Sequence, residues 1–192
     1  YTYDDETGLL KSMSDYKGRV TTFLRDAWGR AVRTNLPDGS QNVSKYEWAS
    51  SSSLPSLVCK LTETGNNEAL STTFYDGMER EIHSNVVRFD GKVLNVRKEY
   101  DDQGRLYRTS LPYKGNPDQW TVYAYDSYDR PQTITAPGGK VTAYSYKDNS
   151  VTETKDGVIS TKTFDGTGSL ISVIDAAGTI TYQLRPDGQP SS

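Results

Sequence analysis

Two pairs of adjacent carboxylates, Asp4-Asp5 and Asp101-Asp102, and the only histidine, His83 beside Ser84, are the residues whose types could do chemistry. Paired carboxylates can serve as acid and base across a glycosidic bond, and a serine held by a general base can act as a nucleophile. Spacing argues against both. His83 and Ser84 sit in the strand-like stretch Glu81-Ile82-His83-Ser84-Asn85, where neighbours point to opposite faces and cannot form a local pair. In each acidic pair the first Asp belongs to a unit that recurs along the whole chain, and a recurring residue is there to build something. Four arginines, Arg30, Arg80, Arg105 and Arg130, follow that unit at one register position. They could form a ladder for acidic ligands, or pair with the turn Asp and stack on neighbouring Tyr rings. The same slot holds Ser169 and Gln189 elsewhere, which favours the structural role. No catalytic, cofactor-binding or metal-binding residue is assigned, and the chain is expected to be no enzyme and to need no cofactor.

The recurring unit is Tyr-Asp-x-x-Gly-Arg, seen most fully at Tyr100-Asp101-Asp102-Gln103-Gly104-Arg105. Its Asp falls at Asp4, Asp26, Asp76, Asp101, Asp126 and Asp165, and the alternating aromatic run before it places Ala49, Lys147 and Arg185 in the same slot. Nine copies at intervals of 18 to 27 residues fill the chain, so 1–192 reads as a single repeat array. Since Ala, Lys and Arg replace the Asp without loss of phase, the Asp is a turn device. Its defining residues are Asp26, Gly29, Arg30, Asp76, Arg80, Asp101, Gly104, Arg105, Asp126 and Arg130. The Ser-rich segment 49–55 is the one candidate break, either a linker or an enlarged loop.

A second turn lies midway between anchors, as in Asp15-Tyr16-Lys17-Gly18, Asp38-Gly39, Gly65-Asn66, Asp90-Gly91, Gly115-Asn116, Gly138-Gly139, Asp156-Gly157 and Asp175-Ala176-Ala177-Gly178. Asp-Gly and Gly-Gly pairs supply the positive φ of tight hairpins. Asp-x-x-Gly suits a type I turn capped by the Asp side chain and closed by a left-handed Gly as a bulge. The segments between turns alternate. In Trp120–Tyr125, Thr121, Tyr123 and Tyr125 share a face; in 141–146, Thr142, Tyr144 and Tyr146 do. The expected fold is all-β: an antiparallel meander, about two strands per repeat, in an extended curved sheet.

Composition supports a sheet rather than a sandwich. Hydrophobic content is 34%, with fourteen Tyr against four Phe, and mean hydropathy is −0.72. Tyr has an apolar ring and a polar tip, which suits faces that are only partly dry. Exposed rings at strand spacing could also stack on a sugar, so Tyr123, Tyr125, Tyr144 and Tyr146 form a candidate ligand-stacking face for a glycan. Formal charge is −3 with scattered Lys and Arg, unlike the basic stripe of a nucleic-acid binder. Cys59 is the sole cysteine, which rules out an intrachain disulfide. The Asp-Gly turns lack the nine-residue rhythm of calcium-binding β-rolls, and no apolar run reaches membrane-span length. The chain opens inside a repeat and closes on the turn Arg185-Pro186-Asp187-Gly188, as expected of a segment of a larger protein.

The order Tyr-x-Tyr-Asp-x-x-Gly-Arg, then Leu-Pro or Ala-Pro, then Asp-Gly or Gly-Gly, resembles the YD-repeat or RHS (rearrangement hot spot) family. The residues that carry it include Tyr123, Tyr125, Asp126, Arg130, Ala136-Pro137 and Gly138-Gly139, and also Asp26, Gly29, Arg30, Leu36-Pro37 and Asp38-Gly39. The resemblance covers essentially the whole chain. It implies a β-strip that spirals into a hollow structural shell, which in bacterial polymorphic toxins and insecticidal toxin complexes encloses a C-terminal toxin or effector domain. The implied partners are the rest of that shell and the enclosed domain, and the implied location is secreted or at the cell surface. The family's C-terminal core, with its Asp-Pro-x-Gly cleavage setting, has no counterpart here: the available orders are Pro37-Asp38-Gly39 and Pro186-Asp187-Gly188. The bare strand edges of an isolated strip imply edge-to-edge self-association.

Overall fold

In the computed structural model, which describes residues 1–66, 68–183 and 185, the chain is all-β and every strand pairing is antiparallel. It divides into two compact units. The first comprises Tyr1–Lys98 with Pro112–Pro117, and the second Glu99–Leu111 with the chain from Asp118 onward. The Ser-rich segment 49–55 lies inside the first unit.

The first unit runs β1 (Thr2–Tyr3), β2 (Leu10–Ser14), β3 (Val20–Arg25), β4 (Ala31–Asn35), β5 (Gln41–Trp48), β6 (Leu57–Gly65), β7 (Glu68–Asp76), β8 (Glu81–Val87) and most of β9 (Val93–Tyr100). Each pairs with the next, from Thr2 opposite Ser12 through to His83 opposite Arg97. The second unit continues with β10 (Leu106–Ser110), β11 (Trp120–Tyr125), β12 (Pro131–Thr135), β13 (Val141–Lys147), β14 (Ser150–Lys155), β15 (Val158–Phe164), β16 (Leu170–Asp175) and β17 (Gly178–Thr181). Here too each pairs with its successor. This is the meander with about two strands per repeat that alternation and turn spacing call for.

The sheet has almost no dry interior. Among the described residues the only buried apolar side chains are Leu57 and Ile82, 7% and 6% exposed. That is what a chain rich in Tyr and Thr and poor in Leu and Phe produces. With little apolar area removed from water, order must come from the backbone ladder and from polar links between strands. Thr and Ser supply some of these: Thr2 to Ser12 at 2.7 Å, Thr152 to Thr161 at 2.9 Å and Ser150 to Thr163 at 3.2 Å.

The turns share one frame more widely than their sequences suggest. In Asp26–Arg30, the Asp26 N–H donates to the Arg30 carbonyl and the Gly29 N–H to the Asp26 carbonyl, both at 3.0 Å. That is the expected type I turn with a left-handed bulge, and Gly29 takes φ 81°. The midway turns 36–40, 88–92 and 136–140 use the same five-residue frame, so their Asp-Gly and Gly-Gly pairs sit at its third and fourth positions instead of forming two-residue loops. Asp156-Gly157 is a true two-residue hairpin, with both φ positive. The Lys147 copy and the Asp175–Gly178 turn are also two-residue loops. Apart from Arg185, the turn expected at 185–188 lies outside the described residues.

Two anchor turns place an L-residue where the others have Gly: Glu79 at φ 59° and Asp129 at φ 60°. Left-handed backbone is unfavourable for a residue with a Cβ by about 1–2 kcal/mol. Glu79→Gly is therefore expected to raise the unfolding free energy by about 1 kcal/mol. Gly29→Ala should lower it by a similar or larger amount, because its new Cβ would also meet Leu9 Cδ1 at 2.9 Å. Urea unfolding of both variants checks the pair; a destabilised Glu79→Gly protein would contradict the turn assignment.

Candidate functional site

The residues singled out by the repeat converge in a clip at four anchor turns, those of Asp26, Asp76, Asp101 and Asp126. At Asp26, Oδ1 accepts the N–H of Trp28 and of Arg30, both at 3.0 Å, while Oδ2 accepts the Arg30 Nε at 2.7 Å. Asp76 with Met78 and Arg80, Asp101 with Gln103 and Arg105, and Asp126 with Tyr128 and Arg130 repeat this at 2.8–3.0 Å. The midway turn Asp15–Arg19 has the same clip. Each carboxylate is thus consumed by its own loop. Its two backbone donors are those the turn leaves unpaired, and its cation lies four residues on.

The acidic pairs fit this scheme. Asp101 forms a clip and Asp102 is an exposed loop residue. Asp4 accepts the N–H of Glu6 and Thr7 and the Thr7 hydroxyl, in a loop one residue longer. Among the described residues no group of His, Cys, Asp and Glu is placed to hold a metal ion. His83 faces Phe74, with ring centroids 5.2 Å apart, and does not meet Ser84, whose register partner is Val96 on the opposite face.

The arginines also reach beyond their own turn. Extending the β12–β13 register by three places sets Arg130 opposite Tyr146, and the guanidinium lies over that ring at 4.1 Å. The same extension sets Arg105 opposite Tyr125 and Arg30 opposite Tyr46, at 4.7 Å and 4.0 Å. Two of these tyrosines close a second link: Tyr125 donates to the Leu106 carbonyl and Tyr146 to the Pro131 carbonyl, both at 2.8 Å. Arg105 additionally pairs with Asp129 of the following anchor turn. The Tyr and Arg of the motif therefore meet between repeats, not within one. Sequence reasoning offered stacking on a neighbouring Tyr but did not say which ring. The signal is present: Arg and Tyr recur in step, offset by one hairpin.

Tyr123, Tyr125, Tyr144 and Tyr146 share one face, as alternation requires, because Tyr123 opposes Ile134 and Ile134 opposes Thr142. All four are half-buried. Burial raises the phenol pKa of Tyr125 and of Tyr144, with Asp101 and Glu153 respectively adding to the effect. The most exposed rings lie elsewhere: Phe89, 96% exposed, and Tyr16, 90% exposed, both at midway turns.

Electrostatics follow the clips. At Asp26, Asp76, Asp101 and Asp126, desolvation opposes ionisation. The Arg side chain and the loop N–H groups outweigh it, so each carboxyl lies below its ordinary value of 3.8. At Asp15 the Arg19 N–H is the main cause of the same shift. The folded pKa is depressed, so this stabilisation is fully present above the unfolded value and is lost as pH falls through the folded one. The clips' contribution to the unfolding free energy is expected to hold steady down to about pH 5 and to drop steeply below about pH 4. Asp76, only 5% exposed, should contribute most: Asp76→Asn is expected to cost about 2–3 kcal/mol at neutral pH and to flatten part of the acid limb. Urea titrations across pH test this, and an unchanged acid limb in the variant would contradict it.

Residues 1–41 match the protein family described as RHS Repeat. No curated protein sequence matches the chain. Among solved structures, the crystal structure of TcdB2-TccC3 is similar over 100% of this chain and 15% of its own, at 13% identity and a TM-score of 0.60. The crystal structure of TcdB2-TccC3-TEV is similar over 93% of this chain and 13% of its own, at 14% identity and a TM-score of 0.51. Identities this low establish a likeness of fold, and the chain spans about a seventh of the length of either. The chain thus carries an RHS-repeat match over residues 1–41 and a likeness of fold along its whole length.

Proposed function

We propose that this chain is a non-enzymatic wall segment of a larger β-shell that encloses or displays a C-terminal toxin or effector domain of a secreted or cell-surface protein. The observation that carries the reading is the use of the repeated polar residues. The clip carboxylates are occupied by their own loops, and three guanidiniums lie over rings of the next hairpin. What remains is a thin antiparallel wall whose chemistry is directed at holding itself together. The likeness to the TcdB2-TccC3 fold supports the same reading. Such a wall would act by exclusion, keeping water and proteases from whatever lies behind it. Its curl into a shell, and edge pairing of the isolated chain, belong to this proposal.

The test is limited proteolysis of the protein in its natural length. A segment C-terminal to the repeats is expected to resist cleavage until the repeats themselves unfold in denaturant. Digestion of that segment at the rate of its isolated form would contradict encapsulation. A second reading, glycan recognition, rests on the shared face of Tyr123, Tyr125, Tyr144 and Tyr146. Two of these rings already lie under arginine, which leaves Tyr123 and Tyr144 as the stacking candidates. Glycan-array binding lost in Tyr123→Ala/Tyr144→Ala would promote this reading, and silence across the array would dismiss it.

A further inference from the structure

One segment of the first unit departs from the repeat. Where other midway turns are short, residues 112–117 form a strap whose Tyr113 bridges Asn95 on β9. The Tyr113 N–H donates to the Asn95 carbonyl at 2.9 Å, and the Asn95 N–H to the Tyr113 carbonyl at 3.0 Å. The Asn95 side-chain Nδ2 reaches that same carbonyl at 3.4 Å. Beneath the strap lies His83 of β8, its ring 6.4 Å from that of Tyr113 and 5.2 Å from that of Phe74. The Asn95 amide is also close enough to the imidazole to favour its protonated form. Asn95 thus holds the strap directly beside the histidine. The imidazole Nδ1 is shut off from solvent and is the only such side-chain atom without a hydrogen-bond partner among the described residues.

We propose that His83 and the strap 112–117 form an acid-released latch, seated on β8 and β9 when the imidazole is neutral and lifted when Nδ1 takes up a proton. A proton on Nδ1 makes a donor of a buried atom that has no hydrogen-bond partner, a condition proteins avoid. It also creates a cation directly across the ladder from Arg97. The charged and titratable groups around the ring weigh against it. On β9, the Asn95 amide favours protonation and Arg97 opposes it; on β8, Glu81 favours it but is tied to Lys98 at 2.6 Å. On β7 the direct neighbour is Phe74, with Tyr75 beside it, and on β6 Lys60 follows on the same face, opposite Phe74. The strap contributes Tyr113, whose phenol is raised by burial, and next to it in sequence Lys114. Desolvation is the main cause holding the His83 pKa below its ordinary 6.5. The closed latch is therefore complete above the ordinary imidazole range and is lost as pH falls through the lowered value. Lifting the strap frees the imidazole for water and uncovers the Asn95 N–H and carbonyl on the strap side of β9.

The test combines an NMR titration of the single histidine with amide exchange at Asn95 and Tyr113 in the intact chain. It runs between about pH 7.5 and 4.5, above the aspartate transition, with exchange rates normalised to their intrinsic pH dependence. Protection of both amides is expected to fall as the imidazole titrates, by about tenfold for each pH unit separating its closed and open pKa. In His83→Gln that acid-dependent loss should vanish. Protection that stays flat through the wild-type titration, or an equal acid loss in His83→Gln, overturns the latch. Should His83→Gln fail to fold, Arg97→Gln serves instead. It should move the imidazole titration and the loss of protection to higher pH together, and movement of one without the other overturns the proposal.

Discussion

Each clip depends on one carboxylate turned inward on its own loop. A five-residue hairpin frame leaves the N–H groups of its third and fifth residues without backbone partners. The Asp at its first position accepts both through Oδ1 and keeps Oδ2 for the arginine four places on. The arginine is thereby fixed in orientation as well as in charge. Held flat by the clip, its guanidinium lies over the tyrosine that the antiparallel register brings across from it. An exposed ion pair alone stabilises little. Here the pair is bidentate in effect, closes a turn and presents a planar cation to a ring.

This division of labour explains which letters of Tyr-Asp-x-x-Gly-Arg can vary. Gly supplies only a left-handed backbone, and Glu79 and Asp129 adopt that conformation in its place. Ser169 replaces the arginine while Asp165 still accepts the N–H of Thr167 and Ser169, so the turn closes without a cation to hand on. At Lys147, where the Asp itself is replaced, the five-residue frame is gone and a two-residue loop stands instead. The Asp pairs the loose N–H groups of the frame it heads, though Leu36, Arg88 and Ala136 head the same frame without a carboxylate. The Arg and Tyr join one hairpin to the next. In a sheet with two buried apolar residues among those described, such links take the place a core would have.

Much of the fold is legible in the residues because its determinants are local. Period-two alternation set the strands and the shared face of Tyr123 and Tyr144, and Asp-x-x-Gly set the bulged turn. Two kinds of feature stayed out of reach. Loop length at the midway turns depends on where pairing resumes, so Asp38-Gly39 and Asp156-Gly157 look alike in sequence yet close loops of different length. Contacts between repeats depend on register. Arg130 and Tyr146 are sixteen residues apart, and only the observed pairing of Thr133 with Ala143 brings them together. The strap over His83 is the extreme case. Its Tyr113 folds back on Asn95, eighteen residues earlier, with no repeat to announce it.

The central claim is that arginine and tyrosine couple neighbouring repeats, and a double-mutant cycle on Arg130 and Tyr146 tests it most directly. Arg130→Ala, Tyr146→Ala and the double variant would be compared by urea unfolding at neutral pH and moderate salt. A coupling energy of about 1 kcal/mol is predicted, since the ring touches both the guanidinium and the strand that follows it. Effects that simply add, within about 0.3 kcal/mol, would show that the two residues act independently and would contradict the account.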